Sequence, residues 1–130
     1  FSHLPHGICS QNSQNNIRRL LENNSIAAPF KAIVGYNDVS NGNQKPDALG
    51  GLKCINSIFG HTNTQCLMYI GDHEADVKFA RNLQTAIGGK SRVIAVAAAY
   101  SRSVPESWGC KPDYTARTVD DLFEIIGKYA

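Results

Sequence analysis

The chain has 130 residues, 42% hydrophobic and 18% charged, with a formal net charge of +2. That length suits one domain with a single core, and the composition is ordinary for a soluble globular protein. The near-neutral charge, with its basic residues scattered, gives no electrostatic footprint for nucleic acid or for a membrane surface. No apolar run approaches the roughly 20 residues that cross a bilayer, and nothing reads as a signal peptide. The four cysteines, Cys9, Cys54, Cys66 and Cys110, are far apart and lack metal-binding spacing. They are expected to be buried free thiols in a reducing compartment, hence a cytoplasmic protein. The opening at Phe1, running directly into "HGICSQNS", suggests a fragment or a processed product.

In chain order, short apolar segments alternate with helical patterns. "GIC" (7–9) precedes "SQNNIRRLLENN" (13–24), where Ile17, Leu20 and Leu21 share a face. "KAIVG" (31–35) precedes a polar loop, 37–47, and then "PDALGGLKCINSIFG" (46–60), with Leu49, Leu52, Ile55 and Phe59 at helical spacing. "QCLMYIG" (65–71) precedes a helix over 73–87, with Val77, Ala80, Leu83 and Ala86 or Ile87 facing inward. "RVIAVAAAY" (92–100) precedes a short segment around "PESWG", and a weak strand at 113–117 leads to a last helix over 118–130, with Thr118 as its N-cap. Continuous apolar strands alternating with helices predict a parallel sheet covered on both faces: a doubly wound, three-layer Rossmann-like α/β domain over 1–130. Ligands bind at the carboxyl ends of the strands in such sheets, so Ser10, the loop at 37–45 and the turn at 71–76 are where chemistry is expected.

Asp72 follows a strand directly, and Asp76 lies four residues on, on the same helical face. Two carboxylates at a strand end suit Mg²⁺, which takes one or two of them and keeps several waters. They equally suit the positive end of a helix dipole, which accounts well for Glu74 between them. Ser10, where a strand meets a helix, reads as an anion site or as a plain N-cap, with Asn12 or Ser13 as the other candidates for the cap. Lys45, before Pro46, reads as a point charge for a phosphate or as a solvated loop lysine, and the same "KPD" recurs at 111–113 without a role. A thiol-phosphatase reading of Cys9 fails because the position that should hold arginine is Asn15. His3, His6 and His61 read as surface residues. There is no phosphate loop of the GxxxxGK[ST] type, no GxGxxG, no HExxH and no GxSxG.

The order strand–Ser10, strand–polar loop–Lys45–Pro46, strand–Gly71–Asp72-xxx-Asp76 resembles that of the haloacid dehalogenase-like hydrolases, over nearly the whole chain. It is most similar to the branch containing phosphoglycolate phosphatase and β-phosphoglucomutase. The resemblance implies that Ser10, with Gln11 beside it, binds a substrate phosphate, that Lys45 neutralises the phosphate and the nucleophile, and that Asp72 and Asp76 hold Mg²⁺. It implies Mg²⁺-dependent hydrolysis of a small phosphorylated metabolite through an aspartyl-phosphate. A phosphosugar mutase on the same scaffold and a non-catalytic α/β binding module are the alternatives. His73 stands where the family has a small residue. The family's nucleophile, the first Asp of a DxDxT/V motif at the end of the first core strand, has no counterpart in these 130 residues, so that strand is expected to be missing. In the family that strand lies mid-sheet, in the order 5-4-1-2-3. The chain is therefore expected to be the carboxyl-terminal part of the core, inactive alone, with self-association or an amino-terminal segment completing the sheet. The stretch between Ser10 and Lys45 is already filled by a helix and a strand, so any substrate-selecting cap is expected to precede Phe1.

Overall fold

The computed structural model describes residues 1–63, 66–89, 91–100 and 102–130. It divides into two compact units, Phe1–Asn63 and Thr64–Ala130. Each is a parallel sheet with helices on both faces, the α/β class expected from alternating apolar strands and amphipathic helices.

In the first unit β1 (His6–Cys9) pairs in parallel with β2 (Phe30–Val34), which places Cys9 opposite Val34. Between them runs α1 (Gln14–Asn23), and after a 3₁₀ turn at Tyr36–Asp38 comes α2 (Leu49–Phe59). Successive strand residues point to opposite faces. Ile33 accordingly packs with Ile17 and Leu21 of α1, while Ala32 and Val34 pack with Cys54 of α2. Burial without a charged partner pushes the Cys54 thiol up to about 11.

Three sequence expectations shift here. Leu20 is 51% exposed, so the inward stripe of α1 is Ile17 and Leu21. Helix α2 starts at Leu49 rather than Pro46, with Asp47 Oδ1 accepting the Leu49 N–H at 2.9 Å. Its buried residues are Gly50, Gly51, Cys54 and Ile55, and Phe59 is largely exposed. Counting large apolar side chains overlooks small residues, which mark where a helix lies nearest its sheet.

In the second unit β3 (Cys66–Gly71), β4 (Arg92–Ala98) and β5 (Tyr114–Ala116) form a parallel sheet in that order. Gln65, expected to begin the first of these strands, lies outside the described residues. Helix α3 (Glu74–Ile87) covers one face and α4 (Val119–Gly127) the other, and a 3₁₀ turn at Pro105–Ser107 interrupts the long connection to β5. The central strand is buried from Val93 to Ala98. On one side Ile94 and Val96 meet Ala116 and Ile125, with Met68 and Leu122 packed against them. On the other, α3 buries Val77, Phe79, Ala80 and Leu83, and the Phe79 ring lies 4.6 Å from that of Tyr69. Phe79 was absent from the expected stripe, yet it is fully buried and sits one turn from Asp76 and Leu83. Thr118 caps α4 as expected, accepting from the Asp121 N–H at 3.1 Å.

The four cysteines are free, but the expectation that all are buried holds only for Cys54: Cys9 and Cys110 are half-buried, and Cys66 is exposed at the very start of β3. Among the described residues β1 pairs with β2 alone and β3 with β4 alone. Each is thus a sheet edge, and Ile70 on β3 is 39% exposed. No helix among the described residues is long and apolar enough to cross a membrane.

Candidate functional site

In the first unit the carboxyl ends of β1 and β2 are locked together beyond the ladder. The Ser10 N–H donates to the Val34 carbonyl at 3.0 Å, and the Tyr36 N–H donates to the Asn12 carbonyl at 3.0 Å. Asn37 Oδ1 accepts the Gln14 N–H at 3.1 Å, and Asp38 Oδ2 accepts the Gly35 N–H at 2.7 Å. Gly35 permits this approach, because a Cβ there would meet the backbone of Asn12, Ser13 and Gln14, with the Asn12 carbonyl oxygen only 2.7 Å away. Ser10 Oγ accepts the Asn12 N–H at 3.1 Å, a local turn that holds the hydroxyl at the strand end.

The loop from 37 to 45 folds back onto this frame. Gln11 Nε2 donates to the Lys45 carbonyl at 3.0 Å, and Gln44 Nε2 donates to the Tyr36 carbonyl at 3.0 Å. Ser10, Gln11, Gly35, Gln44 and Lys45 then line one cavity of about 10 Å³, about one water in size. The three residues expected to bind phosphate are brought together. Gln11 uses its amide to hold the main chain of Lys45. A wider, open cleft of about 460 Å³ lies over the start of α1, between Asn12, Asn16, Arg19 and Tyr36.

In the second unit Asp72 follows β3 and is exposed, and its carbonyl accepts Ser103 Oγ at 2.8 Å. Asp76 is half-buried and its Oδ2 accepts the His73 N–H at 3.0 Å. The Asp76 carboxylate lies against Gly71 so closely that a Cβ at that position would collide with it. His73 is the N-cap of α3, with Nδ1 accepting the Ala75 N–H at 3.2 Å, which puts any ring proton of the neutral form on Nε2. Glu74 leaves its own helix and accepts the Cys110 N–H at 2.8 Å. That bond, helped by Lys78, Gly109 and His73, holds the Glu74 carboxyl below its ordinary value.

The two readings of the acidic turn therefore separate by residue. Asp76 serves the capping box, whereas Asp72 contributes its carbonyl to Ser103. No group of three or more His, Cys, Asp or Glu among the described residues could hold a metal ion. Two carboxylates fit Mg²⁺ with water completing its shell, and do not fit a cation that demands an all-protein cage. Sequence reasoning missed Gly35, Gln44, Ser103 and the outward reach of Glu74. Only Gly35 leaves a sequence signal, a glycine closing an apolar strand before a polar loop.

A family model described as haloacid dehalogenase-like hydrolase matches residues 2–89. Among solved structures, the chain is similar to a conserved haloacid dehalogenase-like protein of unknown function from Agrobacterium tumefaciens, with a TM-score of 0.74 and 19% identity over 97% of this chain and 55% of that one. It is also similar to a haloacid dehalogenase-like hydrolase from Bacteroides fragilis, with a TM-score of 0.71 and 24% identity over 89% of this chain and 50% of that one. A third likeness is to a HAD-superfamily hydrolase, subfamily IA, variant 1, from Geobacter sulfurreducens, with a TM-score of 0.67 and 20% identity over 93% and 48%. The chain spans about half the length of these structures. No curated protein matches it.

Proposed function

Because the chain belongs to the haloacid dehalogenase-like hydrolases, we propose that it supplies the phosphate-binding and metal-binding parts of a phosphomonoester hydrolase. One observation carries this reading: the adjacent Ser10 and Gln11 and the distant Lys45, 34 residues from Gln11, line a single small cavity at the carboxyl ends of β1 and β2. A hydroxyl at a strand end and a lysine point charge suit an anion, and a phosphate of a small metabolite would sit over this one-water cavity rather than inside it. Ser10 Oγ donates to a phosphate oxygen, and Lys45 neutralises charge on the phosphoryl group. Gln11 fixes the main chain from which Lys45 projects, and such preset positioning supplies much of the catalysis in phosphoryl transfer.

Magnesium, held by Asp72 and Asp76 with water completing its coordination, would neutralise charge on the reacting phosphate. The nucleophilic aspartate, which forms the aspartyl-phosphate, comes from chain outside these 130 residues. The edges of β1 and β3 support the same reading, since among the described residues each pairs with a strand on one side alone and has the other side open to a further strand. That strand is a segment of the same protein or of a second copy, and the 130 residues form part of one core domain with it. The free cysteines support a cytoplasmic setting.

The test is hydrolysis of p-nitrophenyl phosphate by the protein including its DxDxT/V-bearing segment, as wild type and as Asp72→Asn. Turnover is expected to fall by on the order of 10²–10³ in the variant, the scale of a lost electrostatic contact. Near-normal turnover overturns the metal assignment.

A further inference from the structure

We propose that Glu74 and Ser103 are positioning residues, through which the 103–110 segment clamps the turn that carries Asp72 and Asp76. The purpose of the clamp rests on the reading of those aspartates given above, but its existence does not.

A glutamate in the first turn of a helix ordinarily satisfies the free N–H groups of that helix. Glu74 instead spends its carboxylate on the backbone N–H of Cys110, 36 residues away. The Asp72 carbonyl, at the other end of the turn, accepts Ser103 Oγ. The turn is the acceptor both times and the segment the donor both times, with one bond on either side of His73.

The segment is itself firmly held, which a clamp requires. Pro105 is fully buried, and Ser107 Oγ donates to the Val104 carbonyl at 2.7 Å. Lys111 Nζ donates to the Glu106 carbonyl at 2.5 Å, and Glu106 also pairs with Arg117 beyond β5. Arg81 on α3 donates to the Lys111 carbonyl at 3.0 Å. An exposed strand-end turn is thereby tied to a braced segment. Inside the turn, Asp76 Oδ2 accepts the His73 N–H, the Asp76 N–H donates to the His73 carbonyl at 3.0 Å and His73 Nδ1 accepts the Ala75 N–H; the tie adds a restraint from outside the turn on both of its sides. Two carboxylates that are to share a cation need a fixed separation, and groups outside the ligand set commonly provide it.

Amide hydrogen exchange tests this on the chain itself. Glu74→Ala should speed exchange about tenfold at Cys110, and also at His73, whose N–H reports on the Asp76 carboxylate. Glu74→Gln keeps an acceptor oxygen, so both amides should stay near wild-type rates. Ser103→Ala should speed His73 alone. If Glu74→Ala leaves His73 unchanged while Cys110 speeds up, Glu74 merely anchors the segment and the proposal fails. If Glu74→Gln behaves like Glu74→Ala, charge rather than the hydrogen bond is responsible, and the proposal fails again. Magnesium calorimetry separates this from the metal reading. About tenfold weaker binding in Glu74→Ala but not in Glu74→Gln supports the clamp acting on a cation site. A wild-type chain that gives no magnesium heat overturns the metal reading, while the exchange rates still decide the clamp.

Discussion

The two units end their parallel strands in polar residues, but they hold those residues by different forces. In Phe1–Asn63 the frame is chiefly steric: the backbone at Gly35 lies directly on the backbone of Asn12, Ser13 and Gln14, and neutral amides of Gln11, Asn37 and Gln44 finish the joint, with the Asp38 carboxylate accepting the Gly35 N–H beside them. In Thr64–Ala130 the frame is electrostatic, since the carboxylates of Asp76, Glu74 and Asp113 each accept backbone N–H groups. The cores differ as well. The second unit buries Phe79 and Ile94 completely, whereas the first has a two-stranded sheet whose buried side chains, Ile17, Leu21 and Ile33, keep 6–8% of their surface exposed. A strand-end frame built mainly on backbone contact should respond little to changes of pH and salt. A carboxylate turn should respond to both, and it needs the deeper core behind it to stay in register.

The largest effect expected of this contrast is in the core. Phe79→Ala removes a fully buried ring packed on Tyr69, and should destabilise the second unit by about 3–5 kcal/mol. Ile33→Val in the first unit should cost only about 0.5–1.5 kcal/mol. Urea unfolding, followed residue by residue through amide exchange, compares them. A Phe79→Ala cost no greater than that of Ile33→Val would break the distinction between a deep and a shallow core.

Next in size is the joint at Gly35. An alanine there drives its methyl group into main-chain atoms, which cannot swing away as a side chain can, and overpacking of this kind costs about 1–3 kcal/mol. The loss should appear as faster exchange at Ser10, Gln14 and Tyr36, with the amides of α3 unaffected. Gly71→Ala extends the comparison to the second unit, because the added methyl group there meets the Asp76 side chain, whose carboxylate can rotate although its Cβ cannot. Wild-type exchange in Gly35→Ala would show that the joint has slack, and the steric account of the first unit would fall.

How much of this the sequence discloses follows the same divide between local and distant. Strands such as 92–98, apolar at nearly every position, and helices with stripes such as Val77, Ala80 and Leu83 are legible because burial writes a period into adjacent residues. Ser13 and Thr118 are legible as caps because they bond three residues ahead. Ser10, Lys45, Asp72 and Asp76 stand out singly as strand-end polar residues, and their order along the chain resembles a family whose model then matched. The cavity joining Ser10 to Lys45 and the tie of Glu74 to Cys110 have no such signature, since each depends on a backbone atom more than 30 residues away. A backbone donor looks the same in every sequence. The exposure of Leu20 and Phe59 fails to show for a related reason: a helical stripe marks which residues can face inward, and the width of a two-stranded sheet limits how many do.

The smallest effect, and the one that isolates charge, belongs to Asp113. Burial pushes its carboxyl up, but the Arg81 side chain, the Ala95 N–H and the field of Arg81 and Arg92 together outweigh that and hold it below the ordinary 3.8. A carboxyl that binds its proton more weakly folded than unfolded stabilises the fold above the unfolded value, and loses that contribution as pH falls through the folded value. The second unit should therefore weaken as pH drops below about 4, because there the unfolded chain takes up the proton first. Arg81 and Asp113 are 39% and 31% exposed in their side chains, so solvent screening keeps the gain modest and makes it shrink with added salt. Asp113→Asn supplies the control: the gap in urea midpoint between wild type and variant should be widest near neutral pH and close as the acid titrates the wild-type carboxyl. A gap that stays constant from neutral pH into strong acid would mean that Asp113 acts through the shape of its bonds to Ala95 and Arg81 rather than through its charge. The second unit's frame would then be steric too, and the contrast between the two units would reduce to the depth of their cores.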